Sequence, residues 1–368
     1  MPGDKYPVVK VAAVQAAPVF LDRDATIDKI AQLVPKVKEM GVQLVVFPES
    51  FIPGFPVWTI LHAPIDQHDY YKRLFENAVQ VPSAQTRKLA EIARANEIFL
   101  SVGCTEKSDY SMGAMWCTNL LFDKTGRLIN RHRKLVATWA EMLAWAPGDA
   151  ADLRPVRTEL GNIGVLICGE NTNTLARFAM LAQGEQIHIA TYPPVWPFRR
   201  SVGQGGSYDT KEITRLRAAA HAFEGKVFVI ASSSSLDADA IEQIAGGVAE
   251  NRSLLESATK AASMIVGPTG QVLGDPVVGG EGFAVAEIDL SEAIVLKEAH
   301  DIVGRYNRFD VFQLRVNQTR IKPIRLYSTE TTFEDYVPSP CDYEELIDDE
   351  KAADAIRLRI RAGLAPKG

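Results

Sequence analysis

Short apolar runs rich in β-branched residues alternate with stretches of helical period along most of this chain, which restricts it to the α/β class. Val8 to Gln15 reads as a buried strand, and Ile27, Ile30, Ala31, Val34 and Val37 then recur at helical spacing until Gly41 offers a stop. The run Val42 to Phe47, closed by Pro48, completes a βαβ unit that ends at Glu49. Thr86 to Asn96 predicts a helix and Ile98 to Cys104 a strand, followed by strand Trp116 to Phe122 entering a turn at Asp123-Lys124-Thr125-Gly126. The second half repeats the alternation: strand Ile163 to Ile167, helix Asn173 to Gln183, strand Ile187 to Thr191, helix Asp209 to Glu224 and strand Val227 to Ala231. Ala262 to Val266, a turn at Pro268-Thr269-Gly270, and Phe283 to Ile288 are expected to close the sheet as an antiparallel ribbon.

No linker-like composition interrupts this pattern, so one catalytic-size domain over 1–322 is expected, followed by a C-terminal extension over 323–368. In that extension Tyr343 to Ile360 suits a charged amphipathic helix packing on another subunit.

With an apolar fraction of 46% and a charged fraction of 23%, the chain has ample core. A formal charge of −6 argues against nucleic acid as partner, because phosphate affinity rests on clustered Lys and Arg. The densest basic cluster, Arg131-His132-Arg133-Lys134, reads as a solvated surface turn and only weakly suggests an anionic partner. Met1 to Tyr6 shows no secretory pattern, and no apolar run approaches the ~20 residues of a membrane helix, so a cytoplasmic protein is expected. The four cysteines form no closely spaced pairs and the six histidines lack ligand-like spacing, so neither a disulfide framework nor a metal site is expected.

Cys168 stands where the apolar run Ile163 to Ile167 stops, just before a helical stretch. A thiol at a strand end facing a helix start meets unpaired backbone N–H groups and the positive end of the helix dipole, which favour thiolate. The alternative is a buried structural cysteine. Glu49 and Lys134 occupy comparable places at strand ends, where sites gather in open α/β sheets. A carboxylate with a raised pKa can take a thiol proton in a dry pocket, and a lysine beside it can stabilise negative charge developing on a substrate.

Phe47-Pro48-Glu49, Arg131-His132-Arg133-Lys134-Leu135 and Cys168-Gly169-Glu170-Asn171 together resemble the three signature blocks of the carbon–nitrogen hydrolase (nitrilase) superfamily. Ile52 to Trp58, Trp145, Gly148-Asp149, Leu175 to Phe178 and Gly184 to His188 are similar to the nitrilase branch, so the likeness runs from about Val8 to Asp289. The resemblance implies an α-β-β-α sandwich, with Glu49 as general base, Lys134 stabilising the tetrahedral intermediate, Cys168 as nucleophile and Glu141 helping to hold the lysine and the substrate nitrogen. It also implies a homodimer or larger homo-oligomer, with a spiral as one form.

The implied reaction is hydrolysis of a small-molecule nitrile to acid and ammonia through thioimidate and thioester intermediates, with no cofactor, metal or membrane. An amidase or carbamoylase, a nitrilase releasing substantial amide, and a non-catalytic oligomeric scaffold are the alternatives. The candidate pocket comprises Phe55, Trp58, Trp139, Gly169, Thr191, Tyr192 and Trp196. Gly169 replaces the family's usual Trp, and extra room beside the sulfur is expected. Ala137, Met142 and Ala150-Ala151 also depart from the pattern and put substrate size in question.

Overall fold

The computed structural model describes residues 6–197 and 208–324. Its strands are β1 (Val8–Gln15), β2 (Leu44–Val46), β3 (Phe99–Lys107), β4 (Met115–Phe122), β5 (Leu128–Arg133), β6 (Val156–Thr158), β7 (Gly161–Ile167), β8 (Ile187–Tyr192), β9 (Phe228–Ser233), β10 (Ala262–Val266), β11 (Val272–Val278) and β12 (Gly282–Asp289). They form two six-stranded sheets, ordered β12-β1-β2-β3-β4-β5 and β11-β10-β9-β8-β7-β6. Each has a parallel centre, β1-β2-β3 in one and β7-β8-β9 in the other, with antiparallel edges.

The sheets meet face to face. Val9, Val11, Leu44, Val46 and Phe99 pack there with Ile163, Val165, Ile187, Ile189, Phe228 and Ile230. Because strand residues alternate in direction, Ala12, Val14, Val45 and Leu100 point the other way and bury the apolar stripes of helices α1 (Arg23–Glu39), through Ile27, Ile30 and Val34, and Ala84–Ala95, through Leu89 and Ala93. On the far face of the second sheet, Thr210–Gly225 packs Ala218 and Ala222 with Val227, Val229 and Ala231, while Leu166 meets Ala176, Ala179 and Met180 of Thr174–Ala182. Each such Val, Leu, Ile or Met side chain contributes about 1.5–3 kcal/mol on leaving water. The result is the α-β-β-α sandwich expected from the sequence.

Two expectations are corrected. Ala262 to Val266 and Phe283 to Ile288 do not form one ribbon: β10 pairs with β9 and β11 in one sheet, whereas β12 crosses to pair antiparallel with β1 in the other. The hairpin partner beyond the Pro268-Thr269-Gly270 turn is β11, whose mostly exposed edge position leaves it little hydrophobic alternation to read. The basic cluster is also not a solvated turn. Arg131, His132 and Arg133 lie in β5, whose residues alternate between buried and half-buried. The stretch Tyr343 to Ile360 lies outside the described residues.

Candidate functional site

The carboxyl end of β2 carries Glu49 and that of β5 carries Lys134, both in one sheet; the carboxyl end of β7 carries Cys168 in the other. The Glu49 loop lies directly on β3, an approach that requires Gly103, since a Cβ there would sit 2.1 Å from the Pro48 carbonyl and 2.9 Å from Glu49 Cα. Lys134 Nζ donates to Glu49 Oε1 at 2.7 Å and to Glu141 Oε2 at 2.6 Å. The Thr138 backbone N–H donates to the same Glu141 oxygen at 2.7 Å. Cys168 closes the group: ligand-capable atoms of Glu49, Glu141 and Cys168 all lie within 4.8 Å of one another. Glu49, Lys134, Glu141 and Cys168 are buried, and Glu49 Oε2 and Glu141 Oε1 have no hydrogen-bond partner.

Two carboxylates against one ammonium leave this dry pocket short of positive charge. Burial, with the Glu141 charge, pushes the Glu49 carboxyl up to about 7 despite Lys134 beside it. Burial works against the charged lysine, but Glu141 and Glu49 outweigh it and hold the ammonium firmly protonated. Burial and then the Glu49 charge push the Cys168 thiol well up. Burial and the neighbouring carboxylate thus oppose the thiolate that a helix dipole would favour. Cys168 to Thr172 form a 3₁₀ turn, and the following helix is capped at its own N-terminus by Asn173, whose Oδ1 accepts from the N–H groups of Leu175 and Ala176. A neutral thiol at rest therefore needs a base; the carboxylates of Glu49 and Glu141 both lie within 4.8 Å, and Glu49 is the one raised to about 7.

The strands below explain why β5 tolerates so many cations. Glu106 of β3 is buried and accepts from the guanidinium groups of Arg131 and Arg133 and from Thr118 Oγ1 at 2.9 Å. Burial alone would raise that carboxyl, but Arg131 and then Arg133 hold it down at about 2. On the opposite face of β5, His132 Nε2 meets Glu170 Oε2 at 2.9 Å. Glu170 also accepts from the N–H groups of Leu135, at 2.6 Å, and Ile167, at 2.7 Å. It thereby ties the lysine loop to the cysteine turn. The cluster read as weak evidence for an anionic partner is thus consumed internally.

The candidate pocket residues divide. Phe55, Trp58 and Tyr192 share one buried apolar cluster with Cys168, and Trp196 packs against it. Phe55 lies edge-on to Trp145 at 5.6 Å and 6.1 Å from Trp196, while Trp58 stacks on Tyr70 at 5.4 Å. Thr191 and Tyr192 are both buried, with hydroxyls that lack partners, but successive strand residues point to opposite faces, so they do not line one wall together. Trp139 is 59% exposed, on the turn that carries Glu141. At Gly169 a Cβ would meet one atom within 4 Å, Thr138 Oγ1 at 2.8 Å, so threonine bounds the space on that side.

Sequence reasoning assigned no part to Glu106, Cys117, Thr138, Glu170 or Asn171. Glu170 and Asn171 stand inside the signature block around Cys168, which was their only signal. Cys117 Sγ lies 3.6 Å from Glu49 Oε1, placed by the pairing of β3 with β4 and β5. Besides the Glu49–Glu141–Cys168 group, ligand-capable atoms of Glu185, His188 and His221 also gather within 4.8 Å, a cluster that the histidine spacing did not disclose. Among the described residues no helix is long and apolar enough to cross a membrane.

A buried thiol, a carboxylate of raised pKa and a lysine held by two carboxylates, gathered at the carboxyl ends of strands in an α-β-β-α sandwich, form an arrangement that can support cysteine-dependent acyl transfer. The carbon–nitrogen hydrolase family profile matches residues 10–298. A nitrilase of Bacillus sp. (strain OxB-1) is 36% identical over 321 residues, 87% of this chain and 91% of that protein. The bifunctional nitrilase/nitrile hydratase NIT4A of Lupinus angustifolius is 30% identical over 338 residues, 89% and 92% of the two chains. In fold, the chain resembles a carbon-nitrogen hydrolase from Helicobacter pylori G27, with a TM-score of 0.61 at 20% identity, covering 83% of this chain and 97% of that one. The chain belongs to the carbon–nitrogen hydrolase family, in its nitrilase branch.

Proposed function

We propose that this protein is a nitrilase that converts an organic nitrile and two waters to a carboxylic acid and ammonia, with residues 1–322 as its catalytic unit. Glu49, as carboxylate, takes the Cys168 proton while sulfur attacks the nitrile carbon. The nitrogen receives that proton, and one C–N π bond becomes a C–S σ bond in the thioimidate. Transfer during attack, rather than before it, avoids a free thiolate in a pocket already rich in negative charge. Lys134 faces the reacting centre as a fixed cation and stabilises charge as it develops. Water, deprotonated by Glu49, adds to the thioimidate; the tetrahedral carbon then expels ammonia and leaves a thioester. A second water releases the acid and returns the proton to sulfur.

The observation that carries this reading is the pair of buried carboxylate oxygens without partners, Glu49 Oε2 and Glu141 Oε1, beside the Cys168 thiol. A nitrile has no N–H, but the thioimidate and the tetrahedral adduct that precedes ammonia release have, and these oxygens are the acceptors that wait for it. An amide would meet the same groups, so the preference for nitriles rests on the likeness to nitrilases over most of the chain.

Phe55, Trp58, Tyr192 and Trp196 form the apolar wall for the substrate's carbon skeleton. The exposed side chains of Tyr306, Phe309, Phe312, Ile321 and Ile324 support a homo-oligomer in which this arm is covered by another copy.

The test is incubation with matched nitrile and amide pairs while ammonia and acid are followed. Nitrile turnover to acid, lost in Cys168→Ala, is expected. Amide turnover without nitrile turnover would replace the assignment with an amidase, and persistence of activity in Cys168→Ala would end the covalent mechanism.

A further inference from the structure

Beneath the Cys168 turn runs a chain of buried polar side chains. Asn171 Nδ2 donates to the carbonyls of Leu166 and Cys168, both at 3.1 Å. Its Oδ1 faces His188 Nε2 at 2.8 Å, His188 Nδ1 faces Glu185 Oε1 at 2.7 Å, and Glu185 Oε2 faces His221 Nε2 at 2.7 Å. All four residues are buried, the two imidazoles completely.

The donors can be assigned from the chain itself. Two carbonyl acceptors fix the Asn171 amide with its NH₂ toward the cysteine turn, so Oδ1 must accept and His188 Nε2 must donate. The orientation of Asn171 is thereby set by His188, and the ring of His188 by Glu185. Glu185 reaches this position by crossing β7 at Gly164, where a Cβ would lie 1.8 Å from Oε1. Four polar groups in a dry core are often no more stabilising than an apolar filling of the same volume, so their presence points to a role besides stability. They end on the carbonyl of Leu166 and on that of the nucleophile itself. Cys168 itself holds φ at +48°, a conformation that side chains of L-residues disfavour by about 1–2 kcal/mol and that must be enforced by its surroundings.

We propose that Asn171, His188, Glu185 and His221 form a positioning network that holds Cys168 in its strained conformation with the sulfur toward Glu49. None of the four touches substrate; they act through the backbone of the cysteine turn.

The test compares variants that break the chain of hydrogen bonds with one that can rebuild it. His188→Phe and Asn171→Asp each remove a necessary donor. Glu185→Gln can satisfy both rings by donating to His188 Nδ1 and accepting from His221 Nε2. For folded variants, judged by circular dichroism, His188→Phe and Asn171→Asp are expected to lower kcat by about thirtyfold or more with KM changed less than about threefold, while Glu185→Gln stays within about fivefold of the parent. Alkylation of Cys168 by iodoacetamide, followed by intact mass, is expected to slow in the same order. That readout needs no nitrile, so it separates failure of this network from failure of the substrate assignment.

Parent-like kcat and alkylation in both breaking variants would overturn the proposal. So would a loss in Glu185→Gln as large as theirs, or a stoichiometric divalent metal found in the purified parent and lost from Glu185→Gln, since the cluster would then be a metal site. Should one breaking variant fail to fold, the other decides.

Discussion

Two buried polar clusters lie on either side of the cysteine turn, and their hydrogen-bond accounts differ. In the Glu185 cluster both carboxylate oxygens are engaged by histidines, and burial, which would raise this carboxyl, is outweighed by His188 and then His221, which hold it at about 2. The one atom left over is Nδ1 of His221, a ring that burial and the neighbouring His188 keep neutral, with its pKa lowered to about 4. In the Glu49–Lys134–Glu141 cluster each carboxylate keeps one buried oxygen unpartnered, and Glu49 is raised to about 7. The closed cluster is built to stay as it is, whereas the open one is built to exchange protons. An unsatisfied buried acceptor is costly, and here it marks where a reacting molecule supplies the missing donor.

The largest expected effect tests the open cluster at its centre. Lys134→Met leaves two buried carboxylates facing each other without a cation, so at neutral pH one must hold a proton, and the developing charge on substrate loses its stabiliser. A fall in kcat/KM of about 10³ is expected for a folded variant. A loss below about tenfold would mean that the comparison misplaces the chemistry.

Glu106 offers the opposite case, a closed account whose role is to stiffen β5 under the lysine. Glu106→Gln weakens its clamps on both Arg131 and Arg133, and a loss of about 3 kcal/mol in urea unfolding is expected, since one partner of a buried ion pair is removed. The sign with pH follows from its lowered value. The folded carboxyl near 2 lies below its ordinary 4.5, so the stabilisation is present above 4.5 and disappears as pH falls through about 2. The parent and the variant should therefore converge in stability toward acid. A constant gap between them would sink the assignment of that stability to the charge.

How much of this was legible beforehand depended on the kind of signal. Strand ends and the three signature blocks brought out Glu49, Lys134 and Cys168, and the resemblance added Glu141, because the approach of these residues follows from topology. The two-sheet division was implied only by the resemblance, since apolar alternation alone does not say which sheet β10 or β12 joins. Charge in β5 misled because a basic run resembles a solvated turn until its acceptors, Glu106 on β3 and Glu170 beyond β7, arrive from elsewhere in the chain. The Glu185–His188–His221 cluster escaped for a related reason: His221 sits on a separate helix, far outside any local ligand spacing. Glycine at 169 suggested space, and only the folded chain places Thr138 over it.

The coupling between the two site carboxylates gives a smaller and sharper test. Glu141 is one of the causes that raise Glu49, so Glu141→Gln should let its pKa fall. Because Glu49 must be ionised to accept the thiol proton, kcat/KM in the parent declines as pH drops below about 7. In Glu141→Gln that acid limb should move downward by on the order of one pH unit, while overall activity is reduced. An upward shift would contradict the charge account of the pocket.

The smallest effect concerns the wall beside the sulfur. Thr138 gives its backbone N–H to Glu141, a bond that Thr138→Ala leaves intact, while its side chain alone bounds the space over Gly169. Removing the hydroxyl and methyl opens that space without altering a charged group, so the response should depend on substrate shape rather than on pH. Relative to an unbranched nitrile, an α-branched one should gain up to about tenfold in kcat/KM, the range expected when a pocket changes by one or two heavy atoms. Gly169→Ala should do the reverse, because its methyl would press on Thr138 Oγ1. If the two substitutions shift the branched-to-unbranched ratio in the same direction, Thr138 and Gly169 do not share the space that receives the substrate's α-carbon.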